Sequence, residues 1–315
     1  MYLSQLMIDV GENPDRPRPG RKWLRNVYRV HQRLAMAFPS DPRKKADPEF
    51  LKPYAPEEFP EAGHAEDALA GRSDVHEGRS DKTGFLYRID RSADHGPVIL
   101  VQSARRPDWD YAFGLTSGAR EPERRKPVGN AGCLLAAPPQ TKEITCEAVD
   151  SRGVRLRIWQ STEETKPDQR PPDKDSILET GANLRFRLNA NPTRRLANGP
   201  FQGKRVGIGR NRMSILDWLA RKAASHGFEL VFKPQKIEHE KEPWDPRWRI
   251  TTGIVCAWKS HQEQEDEDTR KMQFASALID GILRITQPQE FVKALESGIG
   301  PAKAFGFGLL SLTRA

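Results

Sequence analysis

A chain of 315 residues is long enough for two modest domains. Its composition, 37% apolar and 30% charged, argues against one large hydrophobic core, and no run approaches the roughly 18 apolar residues that cross a bilayer. The net charge of +8 is localised: residues 181–250 hold 15 Lys or Arg against 6 Asp or Glu, and the rest is close to neutral. A segregated surplus points to a polyanionic partner, with a solvated basic surface as the plain alternative.

In chain order, MYLSQLMIDV has no basic start and carries an Asp within its apolar run, so a strand is expected there, not a secretory leader. Residues 11–22 form a Pro- and Arg-rich loop. NVYRVHQRLAMAFP (26–39) then predicts one short helix, with Asn26 as its cap and Pro39 as its stop. Val27, Val30, Leu34, Ala37 and Phe38 fall on one face at helical spacing, a core-facing stripe. His31 sits at the border of that stripe, and Tyr28 lies one turn earlier. A titratable ring beside a phenol can do acid–base chemistry; such residues are also often just partly buried side chains with satisfied hydrogen bonds.

Residues 39–83 read as a surface insertion rich in Pro, Glu, Ala, Gly and Asp. Strands are expected at 84–90 and 97–103, and Pro107-Asp108-Trp109 opens another element. This order begins a β-α-β-β-α-β unit. Ile144–Val149 and Val154–Trp159 predict a hairpin, and Glu163–Asp175 predicts a linker. Three separated cysteines, Cys133, Cys146 and Cys256, have no metal-ligand spacing and read as free thiols of a cytoplasmic protein.

A second unit opens with LRFRL (184–188), where Leu184, Phe186 and Leu188 alternate with Arg185 and Arg187. A basic loop follows. A helix is then expected with a capping box at Ser214 and Asp217, closed by Gly227. Further strands are expected at 228–233, 248–258 and 272–286, the last with a bulge at Gly281. A helix at 289–297 and a strand at 305–312 complete the unit. The acidic run at 262–271 can hold a cation but is ordinarily solvated. The expected class is α+β, two tandem ferredoxin-like (RRM-like) domains over 1–116 and 181–315, with 117–180 as an extended connector.

GIGPAKAFGFGLLSL (298–312) lies between a helix and a strand, the wrong order for a dinucleotide fingerprint. Its glycines, Gly300 among them, can bring backbone N–H groups to phosphates beside Lys303, or simply build a tight turn.

Together with YRVHQRLAMAFP and LRFRLNANPTRRL (184–196), this motif resembles the CasE (Cse3) family, the CRISPR RNA endoribonucleases of type I-E Cascade. PVILVQSARRPDW (97–109) and GKRV…LDWLARK (203–222) fit as well. The resemblance lapses across 39–83 and about 110–178. It implies two tandem ferredoxin-like domains, binding of the CRISPR repeat hairpin, and cutting on the 3′ side of the stem base. It implies no metal or other cofactor, no membrane, and retention on the product hairpin beside other Cascade subunits. It places the catalytic His on His31, the active-site Tyr on Tyr28, and the basic stretch on Arg194, Arg195, Lys204 and Arg205.

Metal-free RNA cleavage uses the substrate's own 2′-OH as nucleophile, with a base to take its proton and an acid to protonate the departing 5′-oxygen. His suits either role near neutral pH. A cation must steady the charge growing on the phosphorane; Arg29, Arg33, Arg195 and Lys303 are all open candidates. Arg185 and Arg187, with Arg194–Arg195, are expected to read an A-form stem through its backbone. Phe186 alternates opposite the arginines, which argues against base stacking on that sheet. A hairpin binder of the same fold that does not cut, and an unrelated basic RNA-binding protein, are the competing readings.

Overall fold

The computed structural model describes residues 1–11, 19–38, 84–91, 96–113, 134–150, 152–160, 174–200, 202–232, 245–258 and 272–314. The whole 39–83 insertion, much of the expected linker, Cys133 and the acidic run at 262–271 lie outside them. The protein is a mixed α+β chain built mostly on antiparallel strand pairs. It divides into two compact units. The first draws on 1–85, 89–141 and 256–272; the second draws on 86–88, 142–255 and 273–315.

The first unit contains β1 (Tyr2–Met7), α1 (Pro19–Trp23), α2 (Val27–Ala35), β3 (Pro97–Ser103) and α3 (Trp109–Phe113). It also takes parts of β2 (Phe85–Arg91) and β4 (Gln140–Asp150). Strand order is β2-β3-β1-β4. β1 and β3 run antiparallel, with Leu6 opposite Ile99 and Ser4 opposite Val101, and all four are buried. The predicted stripe of α2 is the face that packs: Val30 and Leu34 are 0% exposed, and Val27, Ala37 and Phe38 are buried. Around it Trp109 meets Phe38 and Phe113 at ring distances of 6.4 and 6.1 Å, and Trp23 meets Phe113 edge-on at 6.2 Å.

The second unit opens with the rest of β4, then β5 (Gly153–Gln160) and β6 (Lys174–Glu179), a three-stranded antiparallel meander. The predicted hairpin is β4–β5, with Ile144 opposite Ile158. β6 was not expected; it begins where the linker was placed. Val154 and Leu178 of this meander enter the second core.

Beyond them come β7 (Asn183–Ala190), β8 (Thr193–Arg195), β9 (Arg205–Gly207) and α4 (Arg212–Ala224). Then follow β10 (Phe228–Leu230), β11 (Arg249–Ala257), β12 (Met272–Ile285), α5 (Pro288–Ser297), a 3-10 turn (Lys303–Phe305) and β13 (Leu310–Arg314). Strand order is β10-β12-β7-β13, with β11 also on β12. Counted from β7 with β8, β9 and β11 left aside, this sheet has the same order as β2-β3-β1-β4: second strand, third, first, fourth. β7 alternates as predicted, with Phe186 and Leu188 in the core and Arg185 and Arg187 exposed. Ile215 and Leu219 of α4 and Phe291 of α5, all 0% exposed, share that core.

Three local expectations are corrected. Gly281 makes no bulge: the β12–β7 register runs unbroken through Asp280–Arg187, Gly281–Phe186 and Ile282–Arg185. Glycine is needed because the Trp248 indole lies on it; a Cβ there would sit 2.6 Å from two ring carbons. The register shift falls at Ala148–Asp150 instead. The cap of α4 is Asn211, whose Oδ1 accepts the Ser214 N–H at 2.9 Å, so the helix starts ahead of the predicted Ser214 box. The last strand begins at Leu310, because 303–305 wind into the 3-10 turn and Gly306 and Gly308 take left-handed φ of 84° and 92°.

Candidate active site and nucleic-acid interface

Two places carry the residues singled out by sequence. The first is α2. Asn26 caps it as expected, its Oδ1 accepting the Tyr28 N–H at 3.1 Å. The same buried carboxamide also donates from Nδ2 to the Trp258 carbonyl at 2.8 Å and accepts the Trp258 N–H at 3.2 Å. One side chain thus fixes the first turn of α2 and holds the segment just past β11. Beyond the cap, the packed stripe sets the rotation of the helix. Tyr28 and His31 are left half-buried at its border.

The His31 ring stacks on Phe85, with centroids 5.1 Å apart and planes 19° apart. Phe85 also stacks on Phe38 at 5.3 Å. The imidazole plane is therefore set by an aromatic neighbour that itself rests on the core. Arg33, one of the candidate cations, is turned to another task. Its Nη1 donates to the Ala112 carbonyl at 3.1 Å, and burial pushes its guanidinium down to about 10, still cationic at neutral pH.

The second place is a concave groove of about 360 Å³ within the second unit. The β8–β9 hairpin brings Arg194, Arg195 and Arg205 to it, Arg195 lying opposite Arg205 in register. The glycine-rich loop brings Gly298, Gly300, Pro301 and Lys303. That loop is pinned to the sheet: the Gly308 N–H donates to the Asn189 carbonyl at 2.8 Å, and Asn189 Nδ2 donates to the Gly306 carbonyl at 3.1 Å. Gly300 has φ 89° and lies against the Trp218 indole, where a Cβ would stand 3.1 Å from two ring atoms. Five residues chosen independently by sequence, Arg194, Arg195, Arg205, Gly300 and Lys303, therefore meet in one groove.

The remaining three do not line it. Lys204 is exposed beside it, its carbonyl accepting the Leu196 N–H at 3.0 Å. Arg185 is exposed on β7. Arg187 is bound in a two-pronged ion pair to Asp280 on β12, with Nε–Oδ1 2.6 Å and Nη2–Oδ2 3.2 Å. Its charge is largely answered within the sheet. Sequence reasoning missed the groove's third wall: Trp218 and Lys222 on α4 and His226 just past its end. Their spacing of four residues was the available signal, since i, i+4 and i+8 share a helix face.

Among the described residues, no helix is long and apolar enough to cross a membrane.

A family model described as CRISPR associated protein matches residues 137–314, more than half of the chain. The CRISPR-associated endoribonuclease Cse3 of Thermus thermophilus is 34% identical over 135 residues, 43% of this chain and 57% of that protein's length. The solved structure of CRISPR endoribonuclease Cse3 bound to a 19 nt RNA aligns over 99% of this chain and 100% of its own, with TM-score 0.54 and 24% identity. Thermus thermophilus Cse3 bound to an RNA representing a pre-cleavage complex aligns over 99% and 98%, with TM-score 0.51 and 23% identity. At that identity the two structures speak for the fold. With most of its second unit, the β4–β5–β6 meander included, inside the matched stretch, the chain belongs to the CRISPR associated protein family, and it is similar to Cse3.

Proposed function

We propose that the protein is a metal-independent endoribonuclease that cleaves precursor CRISPR RNA at the base of the repeat hairpin and stays on the product as a Cascade subunit. Each unit is then a ferredoxin-like domain; the repeated strand order, second-third-first-fourth, supports this in both. The observation that carries the proposal is the groove. Cations from the hairpin and the glycine-rich loop, far apart in sequence, converge on one surface fit for phosphates. α2 supplies the other requirement, a half-buried imidazole of fixed orientation.

The step runs without a cofactor. A base removes the 2′-OH proton, O2′ attacks phosphorus, the P–O5′ bond breaks, and an acid delivers a proton to O5′. A 2′,3′-cyclic phosphate and a 5′-OH result. His31 acts as base or acid. Tyr28 orients it or hydrogen-bonds the phosphate. A cation beside the scissile phosphate steadies the phosphorane. Family membership and the resemblance to Cse3 support this assignment.

The decisive test is His31→Ala on a repeat-hairpin RNA. Cleavage is expected to disappear while binding persists; unchanged cleavage overturns the role of His31. A single 2′-deoxy nucleotide at the cut site is expected to block the wild type, and EDTA to leave its rate unchanged. Inhibition by EDTA would refute the metal-independent route. A second reading, a hairpin-binding subunit that does not cut, predicts binding with no cleavage by the wild type.

A further inference from the structure

On the RNA-cleaving reading above, we infer that Arg21, Lys22 and Arg25 form a phosphate track in the first unit that holds the unpaired RNA running 3′ from the cut. The groove lies wholly in the second unit, whereas these three cations lead into α2, the helix of His31. Residues 19–35 hold five Lys or Arg and no Asp or Glu. Arg33 turns inward to the Ala112 carbonyl, and Arg29 is half-buried. Arg21, Lys22 and Arg25 are exposed. Their backbone is firmly set. Gly20 lies buried against the Asp9 carbonyl, where no side chain would fit, and Trp23 and Leu24 are buried. The Leu24 N–H donates to the Gly20 carbonyl at 3.0 Å and the Arg25 N–H to the Lys22 carbonyl at 3.2 Å. Apolar residues thus anchor this short lead to α2, and its cations stand in solvent.

Elsewhere surface arginines are answered by carboxylates. Arg157 pairs with Glu147 at 3.2 Å and with Asp175 at 3.5 Å, Arg284 with Glu229 at 3.1 Å, and Arg187 with Asp280 at 2.6 Å. Among the described residues, no carboxylate is ion-paired to Arg21, Lys22 or Arg25. Like charges held this close repel one another, and a polyanion lying along them relieves that repulsion.

The geometry of the substrate selects which RNA this is. The scissile phosphate has to reach His31, and on one side of it stands the stem, whose rigid backbone the groove answers. On the other side the chain is unpaired and joined directly to the phosphate being cut. The strand that enters the stem from its 5′ side starts across the width of the duplex instead. The RNA nearest to α2 and not yet accounted for is therefore the 3′ strand. Trp23 is the sole aromatic residue of 19–25, and it is buried, so the track offers charge without a ring for a base to stack on. It grips phosphates and is indifferent to base sequence.

The experiment measures affinity of the full chain, over a range of salt, for repeat hairpins carrying one 2′-deoxy nucleotide at the cut site. One hairpin ends just past the cut, a second continues 3′ with unpaired nucleotides, and a third carries the same extension on its 5′ side. For the wild type the 3′ extension is expected to steepen the slope of log affinity against log salt by about two, whatever its sequence. The triple variant Arg21→Ala, Lys22→Ala, Arg25→Ala is expected to lose that increment and to bind the short hairpin as the wild type does, which also shows that it is folded. Arg21→Lys with Arg25→Lys is expected to keep the increment. If the 3′ extension leaves the wild-type slope unchanged, the strip is a solvated face or faces a protein, and the inference is wrong. If the triple variant weakens short and extended hairpins alike, the strip grips the stem and the inference is again wrong. If only the 5′ extension steepens the slope, the assignment to the 3′ strand is overturned. If the wild type binds none of the hairpins, the RNA reading itself falls and takes the track with it.

Discussion

The α2 site and the groove of the second unit use their side chains in opposite ways. On α2 one helix offers two polar rings, and nearly everything else on its inner face is buried: Val30 and Leu34 are 0% exposed. In the groove three elements each lend cations, most of them exposed, and no single packed face sets them all. Proton transfer needs one atom at a defined place, and close packing with a stacked aromatic can supply that. Gripping a polyanion needs summed charge, which tolerates looser placement. The hydrophobic stripe marks His31 as a border residue of α2, and the resemblance to the Cse3 family is what implies its acid–base role.

The comparison breaks or sharpens under substitution. The largest effect expected is His31→Ala: a fall of roughly 10²–10⁴ in the single-turnover rate at saturating protein, with hairpin affinity unmoved. Joint replacement Arg194→Ala and Arg205→Ala should do the reverse, lowering the salt slope of binding by about two while the saturated rate holds. If the two variants produce the same mixture of rate and affinity loss, the division of labour is wrong.

Leu34→Ala tests whether packing holds α2. It should cost about 2–5 kcal/mol by thermal or denaturant unfolding, because the site is fully enclosed. A loss under 1 kcal/mol would mean the face collapses easily. Asn26→Ala removes a cap and leaves the Trp258 N–H and carbonyl without that partner; about 1–2 kcal/mol is expected from the same measurement. Arg187→Ala should be smallest, under about 1 kcal/mol, since its pair with Asp280 is partly exposed. A large drop in hairpin affinity for that variant would return Arg187 to the interface.

Much of the frame was legible because it rests on short periods. The α2 stripe, the alternation of β7 and the β4–β5 hairpin follow from spacing within a dozen residues. What escaped depends on distant residues. A glycine under a Trp ring and a glycine in a bulge both lack a Cβ, so Gly281 alone cannot say which; only Trp248 decides. Asn211 and Ser214 are both good capping residues, and the choice lies in where the incoming chain turns. Phe305 and Phe307 have strand-forming side chains, yet the left-handed glycines beside them hold a turn. The face formed by Trp218, Lys222 and His226 could be seen in the sequence, but its relevance depended on the hairpin and the glycine-rich loop lying along it.

The carboxamide of Asn26 has a consequence for motion. It links the Tyr28 amide and both backbone groups of Trp258, 232 residues further along the chain. Fraying of the first helical turn and release of the 258 strand end are therefore a single opening event. The amide hydrogens of Tyr28 and Trp258 should exchange with solvent at a common opening free energy, and Asn26→Ala should separate them. The helix that carries His31 is as well ordered at its start as a segment from the far end of the sequence allows it to be.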